Sequence, residues 1–321
     1  MTKNIPSIDI SIVIPVYCNQ DSLEPLFDLI KNNVIAHFPN RTFEVIFIDD
    51  GSKDASLNKL FQIKSKNTDK VKIIKFTRNF GQNAATIAGI KHSVGQFIVM
   101  IDADLQDPPE LMVDMINYFF KDNDEIIICT RAKRKESLYR RGISALWYGF
   151  IQRLTFPEFP KKGFNYFGIS NRVKQVLLES SSNANPLTNI LVVWTGFPIK
   201  YIPYTREKRT FGKSEFTFYK KIRVAFDSLV SFSFFPIRFM TVTGFIVALL
   251  GFVYAAMLFI SYFAGGEYPF KGWTPIMILI LILSGLQMLM LGVLGEYLWR
   301  TLDGVRNRAL YIIEKTYDQA E

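Results

Sequence analysis

Three polar clusters stand in this chain where apolar runs stop. The run FIVMI (97–101) ends in Asp102-Ala103-Asp104-Leu105-Gln106-Asp107-Pro108-Pro109, and EVIFI (44–48) ends in Asp49-Asp50-Gly51-Ser52. The first run, ISIVI (10–14), leads into Pro15-Val16-Tyr17-Cys18-Asn19. Carboxylates two residues apart at the corner after a strand can share one hard divalent cation through oxygen ligands. Such a cation keeps open positions for phosphate oxygens and offsets the charge of a diphosphate leaving group. Asp is also a common turn and cap residue, so a lone Asp-x-Asp says little. Three acidic or polar run ends that share one sheet say far more.

The elements that must position them follow from periodicity. Short β-branched runs at Ile10–Val16, Glu44–Ile48, Val71–Phe76, Phe97–Ile101 and Ile126–Cys129 alternate with amphipathic stretches near 22–36, 54–65, 83–93 and 109–120. This alternation predicts βαβ units and a mostly parallel sheet with helices on both faces. The runs are nearly all apolar, as expected of strands covered on both sides. Ligands bind beyond the carboxyl ends of such strands, where the three clusters fall. Cys18 and Cys129 offer neither a disulfide framework nor metal-ligand spacing and read as thiols in a reducing compartment.

After the α/β part come two unbroken apolar segments, Ile237–Phe263 and Thr274–Trp299. At 1.5 Å per residue each can cross a hydrocarbon core of about 30 Å. Their charges are Arg238 at the start of the first and Glu296 near the end of the second. Arg238 before the pair and Arg300, Arg306 and Arg308 after it place both flanks on the cytoplasmic side, with only the loop 264–273 outside. The expectation is a multi-pass protein of the inner (cytoplasmic) membrane, its catalytic domain and both termini cytoplasmic. The N-terminal run contains Pro15 and no small-residue cleavage site, so it reads as a strand rather than a signal peptide.

The formal charge of +9 is concentrated in patches. Residues 131–153 hold seven basic side chains against one acid, and residues 206–223 seven against two. Beside two apolar segments, a bilayer surface or a phosphate-bearing lipid suits such patches better than nucleic acid. Within 213–235, Phe216, Tyr219, Ile222, Phe226, Leu229 and Val230 share a helical stripe opposite basic residues, which predicts an interfacial amphipathic helix. The expected division is therefore a domain over 1–212, this helix, two transmembrane helices over 236–299 with a short external loop, and a cytoplasmic tail over 300–321. Gly285, Gly292 and Gly295 leave room for close helix packing and so for a homo-oligomer.

The strings VIPVY, EVIFIDDGSKDAS, RNFGQNAATIAGI and GQFIVMIDADLQDPPE, in this order, resemble the signature series of glycosyltransferase family 2. The resemblance is strongest to its polyisoprenyl-phosphate branch, which includes bactoprenol glucosyltransferases and dolichol-phosphate mannose synthase. GEYLWRTLDGVRNRALYII, around and after the end of the second apolar segment, extends the similarity over most of the chain. It implies a GT-A type, Rossmann-like domain that moves a sugar from a nucleotide diphosphate sugar, UDP-glucose or a related donor, to polyprenyl (undecaprenyl) phosphate with inversion. Pro15, Tyr17, Asp49, Asp50, Arg78, Asn79 and Gln82 would line the nucleotide site, with Gly81 beside them and Asp50 taking the base or ribose. Asp102 and Asp104 would be the catalytic pair and, with Gln106, would hold Mg²⁺ or Mn²⁺. Arg131, Arg134, Ser137, Arg140 and Arg141 would grip the lipid phosphate, a use that suits guanidinium forks.

One departure bears on the donor sugar. Where bacterial glucosyltransferases of this branch carry an acidic D-F-R-L type segment, residues 163–170 read GFNYFGIS. Two other readings make different demands on the sequence. A processive polysaccharide synthase of the same family would carry Q-x-x-R-W, and the chain has none. A membrane-tethered nucleotide-sugar binder without turnover would not need all three acidic run ends. A nucleotide-dependent dehydrogenase is excluded, because no G-x-G-x-x-G follows a strand.

Overall fold

The computed structural model describes residues 8–67, 70–131, 160, 163–180, 188–206, 235–263, 274–306 and 308–318. Arg134, Ser137, Arg140 and Arg141 and nearly all of the stretch 213–235 lie outside them. The chain forms two compact units, Met1–Glu215 with Asn307–Glu321, and Phe216–Arg306.

In the first unit β1 (Ile10–Val16), β2 (Phe43–Asp49), β3 (Val71–Phe76) and β4 (Phe97–Met100) alternate with α1 (Leu23–Leu29), α2 (Ser56–Lys66) and α3 (Gln82–His92). α1 runs on through a π turn (Ile30–Val34) and a 3₁₀ turn (Ile35–His37). Every residue of β1 and β2 is buried, because helices cover both faces of the sheet. On one face Leu23, Leu26, Leu60 and Met112 pack with Ile12, Phe47, Ile73 and Val99. On the other, α3 closes onto β1 and β2 at Gly89, where a Cβ would stand 2.2 Å from Val13 Cγ1. Glycine there sets how near the helix comes to the strands.

Among the described residues the sheet has eight strands, in the order β7 (Ile199–Tyr204), β5 (Ile126–Arg131), β6 (Phe167–Ser170), β4, β1, β2, β3, β8 (Ile313–Tyr317). β1 to β4 pair in parallel. β6 (Phe167–Ser170) runs antiparallel to both β4 and β5 (Ile126–Arg131), and β7 (Ile199–Tyr204) is parallel to β5. α4 (Leu111–Asp122) joins β4 to β5, while α5 (Asn171–Ser180) and α6 (Thr188–Trp194) lie between β6 and β7. β8 (Ile313–Tyr317) closes the far edge antiparallel to β3. The expected parallel sheet is thus the centre of a mixed one.

Strand order reverses at β1, which has β2 on one side and β4 on the other. The β1–β4 ladder stops at Val13 and Met100, whereas β1 continues to Val16. Pro15 therefore lies past the end of that ladder, where a missing N–H is tolerated. The carboxyl ends of β1 and β4 lie at the switch point, the usual place for a ligand in such a sheet.

The second unit contains α7 (Phe235–Phe263, 29 residues) and α8 (Thr274–Arg306, 33 residues). Both are long and apolar enough to cross a membrane. At 1.5 Å per residue they span about 44 Å and about 50 Å. Large apolar side chains such as Phe245, Phe252, Met288 and Leu298 point outward. The polar groups are satisfied locally: Thr241 and Thr243 hydroxyls donate to the carbonyls of Ile237 and Phe239, and Arg300 pairs with Glu296 at 2.8 Å. The two helices meet at Gly244, where a Cβ would stand 2.9 Å from Met290 Cε.

Candidate active site

The turn after β4 turns three carboxylates toward one another. Asp102, Asp104 and Asp107 each offer an oxygen, and these oxygens lie within 4.8 Å of each other. Leu105 takes the left-handed conformation, φ 57°, to make the turn, which for an apolar side chain costs on the order of 1–2 kcal/mol. Two bonds hold it: Gln106 N–H donates to Asp104 Oδ1 at 3.2 Å, and the buried Ser22 hydroxyl donates to the Ala103 carbonyl at 2.5 Å. Ser22 lies just beyond the polar end of β1, so the first and third clusters are tied directly.

A residue from the other side of the sheet completes the group. Arg206, two residues beyond β7, points its guanidinium into the carboxylates. Nε donates to Asp107 Oδ1 at 3.0 Å, and one terminal nitrogen stands 3.4 Å from Asp107 Oδ2, 3.6 Å from Asp104 and 3.7 Å from Asp102. The Tyr204 hydroxyl also donates to Asp107, a side chain only 1 % exposed. Asp107 is thus an anchor for Arg206 and Tyr204.

Asp102 receives the Gln82 amide at 2.5 Å and the Asn165 amide at 3.3 Å. Burial, then the charges of Asp107 and Asp104, push its pKa up to about 6. Burial works against charge on Arg206, but Asp107, Asp104 and Asp102 outweigh it and raise its pKa. Fully ionised, three carboxylates and one guanidinium leave a formal −2. Oxygen donors with that residual charge fit a hard divalent ion.

The second cluster is built inward. Asp49 and Asp50 are almost fully buried. Asp49 accepts the Ser52 N–H at 3.2 Å, while Asp50 accepts the N–H groups of Phe80 at 2.6 Å and Gly81 at 2.9 Å, one on each oxygen. Burial raises the pKa of both. Gly51, φ +67°, lets the loop after β3 rest on this turn; a Cβ there would meet the Arg78 carbonyl carbon at 2.6 Å. Asp50 therefore fixes loop 77–82, whose Arg78, Asn79 and Gln82 are exposed.

This chemistry and this sheet can be set beside known proteins. The glycosyl transferase family 2 profile matches residues 11–177, slightly more than half of the chain. The chain belongs to glycosyltransferase family 2. It is 29 % identical to the SfII prophage-derived bactoprenol glucosyl transferase of Shigella flexneri, over 96 % of this chain and 98 % of that one. It is 28 % identical to the undecaprenyl-phosphate 4-deoxy-4-formamido-L-arabinose transferase of Klebsiella pneumoniae, over 98 % and 96 %. Its fold matches glucosyl-3-phosphoglycerate synthase of Mycobacterium tuberculosis, solved with Mn²⁺, uridine diphosphate and glucosyl-3-phosphoglycerate, with a TM-score of 0.51 and 16 % identity over 70 % and 79 % of the two chains. The α/β unit has the GT-A fold, and the protein is a glycosyltransferase.

In this family 2 enzyme the described residues singled out in the sequence, apart from the Asp49–Asp50 turn and its loop, fall into three groups. Asp102, Asp104 and Gln82 converge directly, and the Gln106 backbone supports them. Pro15 and Tyr17 end β1 beside the switch point, with Tyr17 N–H bonded to Asn19 Oδ1 at 3.0 Å. Arg131 ends β5 in register with Tyr204, and its Nε is buried without a hydrogen-bond partner among the described residues. The sequence does not single out Arg206, Tyr204 or Asn165. In the sequence Arg206 is one cation of a basic stretch that reads as membrane-facing, and the signal that sets it apart is its position just past the Ile199–Tyr204 strand.

Proposed function

We propose that the enzyme transfers one sugar from a nucleotide diphosphate sugar, UDP-glucose or a related donor, to polyprenyl phosphate, with inversion, at the cytoplasmic face of the inner membrane. The observation that carries this reading is the carboxylate group at the switch point of a GT-A sheet in a chain that also holds two outward-apolar helices. The two relatives named for bactoprenol and undecaprenyl phosphate share nearly the whole chain, and this supports the acceptor class.

Asp102 and Asp104, with Gln106, would hold Mg²⁺ or Mn²⁺, and the cation would offset the charge of the departing diphosphate. The Mn²⁺ in the glucosyl-3-phosphoglycerate synthase structure accords with this. Pro15, Tyr17, Asp49 and the exposed loop residues Arg78, Asn79 and Gln82 would take the nucleotide, with Asp50 fixing that loop. An oxygen of the acceptor phosphate bonds to the anomeric carbon as the bond from that carbon to the β-phosphate oxygen breaks. The diphosphate leaves with the electron pair. The acceptor is already anionic near neutral pH, so the residue 163–170 segment needs no carboxylate base, and positioning and charge neutralisation drive the step. Arg131, with Arg134, Ser137, Arg140 and Arg141, would hold the acceptor phosphate.

The membrane arrangement has support of its own. β8, which follows the second apolar helix, pairs with β3, which precedes the first. A helix pair whose two flanks join one sheet crosses an even number of times, in accord with the basic flanks. The proposed division is the GT-A domain over 1–212, an interfacial helix over 213–235, two membrane helices over 236–299 and a cytoplasmic tail over 300–321, with the spans free to associate as a homo-oligomer.

The test is release of nucleoside diphosphate by purified full-length protein given a short polyprenyl phosphate, a panel of nucleotide sugars and Mg²⁺ or Mn²⁺, with product mass identifying the sugar. Asp104→Ala should lose at least about a thousand-fold in turnover and keep its fold. Undiminished turnover of Asp104→Ala in chelator would refute the metal assignment, and a repeating polymer as product would favour the processive reading.

A further inference from the structure

The segment that returns from the apolar helices meets the loop after β3 before it becomes a strand. The Tyr311 ring stacks on Phe76, centroids 5.0 Å apart and planes 8° from parallel. Phe76, 1 % exposed, meets the Phe80 ring edge-on at 5.8 Å, and Arg78 lays its guanidinium over the far part of this train, 4.2 Å from the Phe80 centroid. The backbone joins in: Thr77 N–H donates to the Ile312 carbonyl at 3.1 Å, and the β3–β8 register shifts between Lys75 and Phe76. From Phe80 onward the loop is pinned on Asp50 and reaches Asp102 through Gln82. Loop 77–82 is thus clamped between Asp50 within and the Tyr311–Ile312 step without.

We infer that Tyr311 is a positioning residue for the donor: by stacking on Phe76 it holds Phe80, and through Phe80 it sets where Arg78, Asn79 and Gln82 meet the nucleotide sugar. Tyr311 lies in the C-terminal string GEYLWRTLDGVRNRALYII, to which the resemblance assigns no site role. Six residues in the chain before Tyr311 lies Val305, in the last turn of α8. The segment that leaves the second apolar helix therefore supplies part of the support of the donor loop. The inference rests on reading loop 77–82 as a wall of the donor site, so its test must separate the two.

The test uses full-length protein in detergent and whichever of UDP, GDP, CDP and dTDP binds the wild type most tightly with Mn²⁺. Dissociation constants and melting temperatures are measured for Tyr311→Ala, Tyr311→Phe, Tyr317→Ala and Arg78→Ala. Tyr317 meets Phe61 edge-on at 4.8 Å farther along the same strand, away from the loop, and so reports on loss of β8 packing alone. Loss of an aromatic pair corresponds to about three- to ten-fold in affinity. That weakening is expected for Tyr311→Ala, with Tyr311→Phe within about two-fold of wild type and Tyr317→Ala melting lower but binding unchanged. If Tyr311→Ala does not fold, Tyr311→Leu, which keeps apolar bulk and loses the stack, takes its place. Wild-type affinity in Tyr311→Ala, or equal weakening in Tyr317→Ala, overturns the inference. If Arg78→Ala also binds as wild type, the donor reading of the loop falls with it; if Arg78→Ala alone is weakened, only the role of Tyr311 falls.

Discussion

At the scale of single residues the site is a charge balance. Arg206 is the resident cation among Asp102, Asp104 and Asp107. Replacing it by Ala leaves three carboxylates facing one another, with Tyr204 the remaining side-chain donor to the buried Asp107 among the described residues. Removing one partner of a buried pair costs about 3–5 kcal/mol, so Arg206→Ala should melt well below wild type in chelator. Mn²⁺ should recover more of that loss than it adds to wild type, and calorimetry with and without Mn²⁺ checks both. Proton competition follows from Asp102. Its pKa of about 6 lies above the ordinary 3.8, so its ionisation disfavours the metal-free fold above about pH 6, and the penalty fades as pH falls toward 3.8. A cation needs the ionised form. Mn²⁺ affinity should therefore drop several-fold between pH 7.5 and 5.5, where a carboxylate titrating at 3.8 would leave it level. A Mn²⁺ titration at the two pH values decides. Sequence alone revealed the acids because they directly follow apolar runs; it concealed Arg206, whose neighbours in space are about a hundred residues away in the chain.

At the scale of elements, legibility tracks burial. β1 begins and ends where its apolar run does, because both faces of a central strand must be apolar, and β3 keeps the bounds of its run although Lys72 and Lys75 on it are only half-buried. β6 is four residues, FGIS, and β8 reads IEKTY; short or half-solvated strands carry little pattern. β7, an edge strand, alternates buried and exposed residues and contains Pro203, which an edge tolerates and an interior strand does not. Charged residues suit an edge too: in β8, Glu314 pairs with Lys75 at 2.7 Å, and just past it Asp318 pairs with Lys72 at 2.9 Å. Ending the chain after Arg306 would strip β3 of these partners and of the Tyr311 stack while sparing every carboxylate of the site. We expect that truncated protein, kept in detergent, to melt several degrees lower and to self-associate through the bared strand, as read by differential scanning fluorimetry and light scattering. Unchanged melting would show that β8 adds nothing to the sheet.

At the scale of the whole molecule, the residues proposed for the donor and those proposed for the acceptor divide along the chain. The carboxylates and loop 77–82 precede residue 110, and the basic stretch proposed for the lipid phosphate begins at Arg131. Charge reversal at Arg140 or Arg141 should therefore raise the KM for polyprenyl phosphate about ten-fold or more and leave nucleotide affinity within about two-fold. Equal effects on both substrates would mark the stretch as general membrane attraction. The placement of β8 also orders biogenesis. A ribosome makes β1 to β7 first, then both apolar helices, and only then the strand that covers β3. Until the helices have been synthesised, the sheet keeps an open edge at β3 and loop 77–82 lacks the Tyr311–Ile312 contact. A nascent chain stalled before α8 would expose that β3 edge to self-association. Completion of the sheet is thereby deferred until both apolar helices already exist.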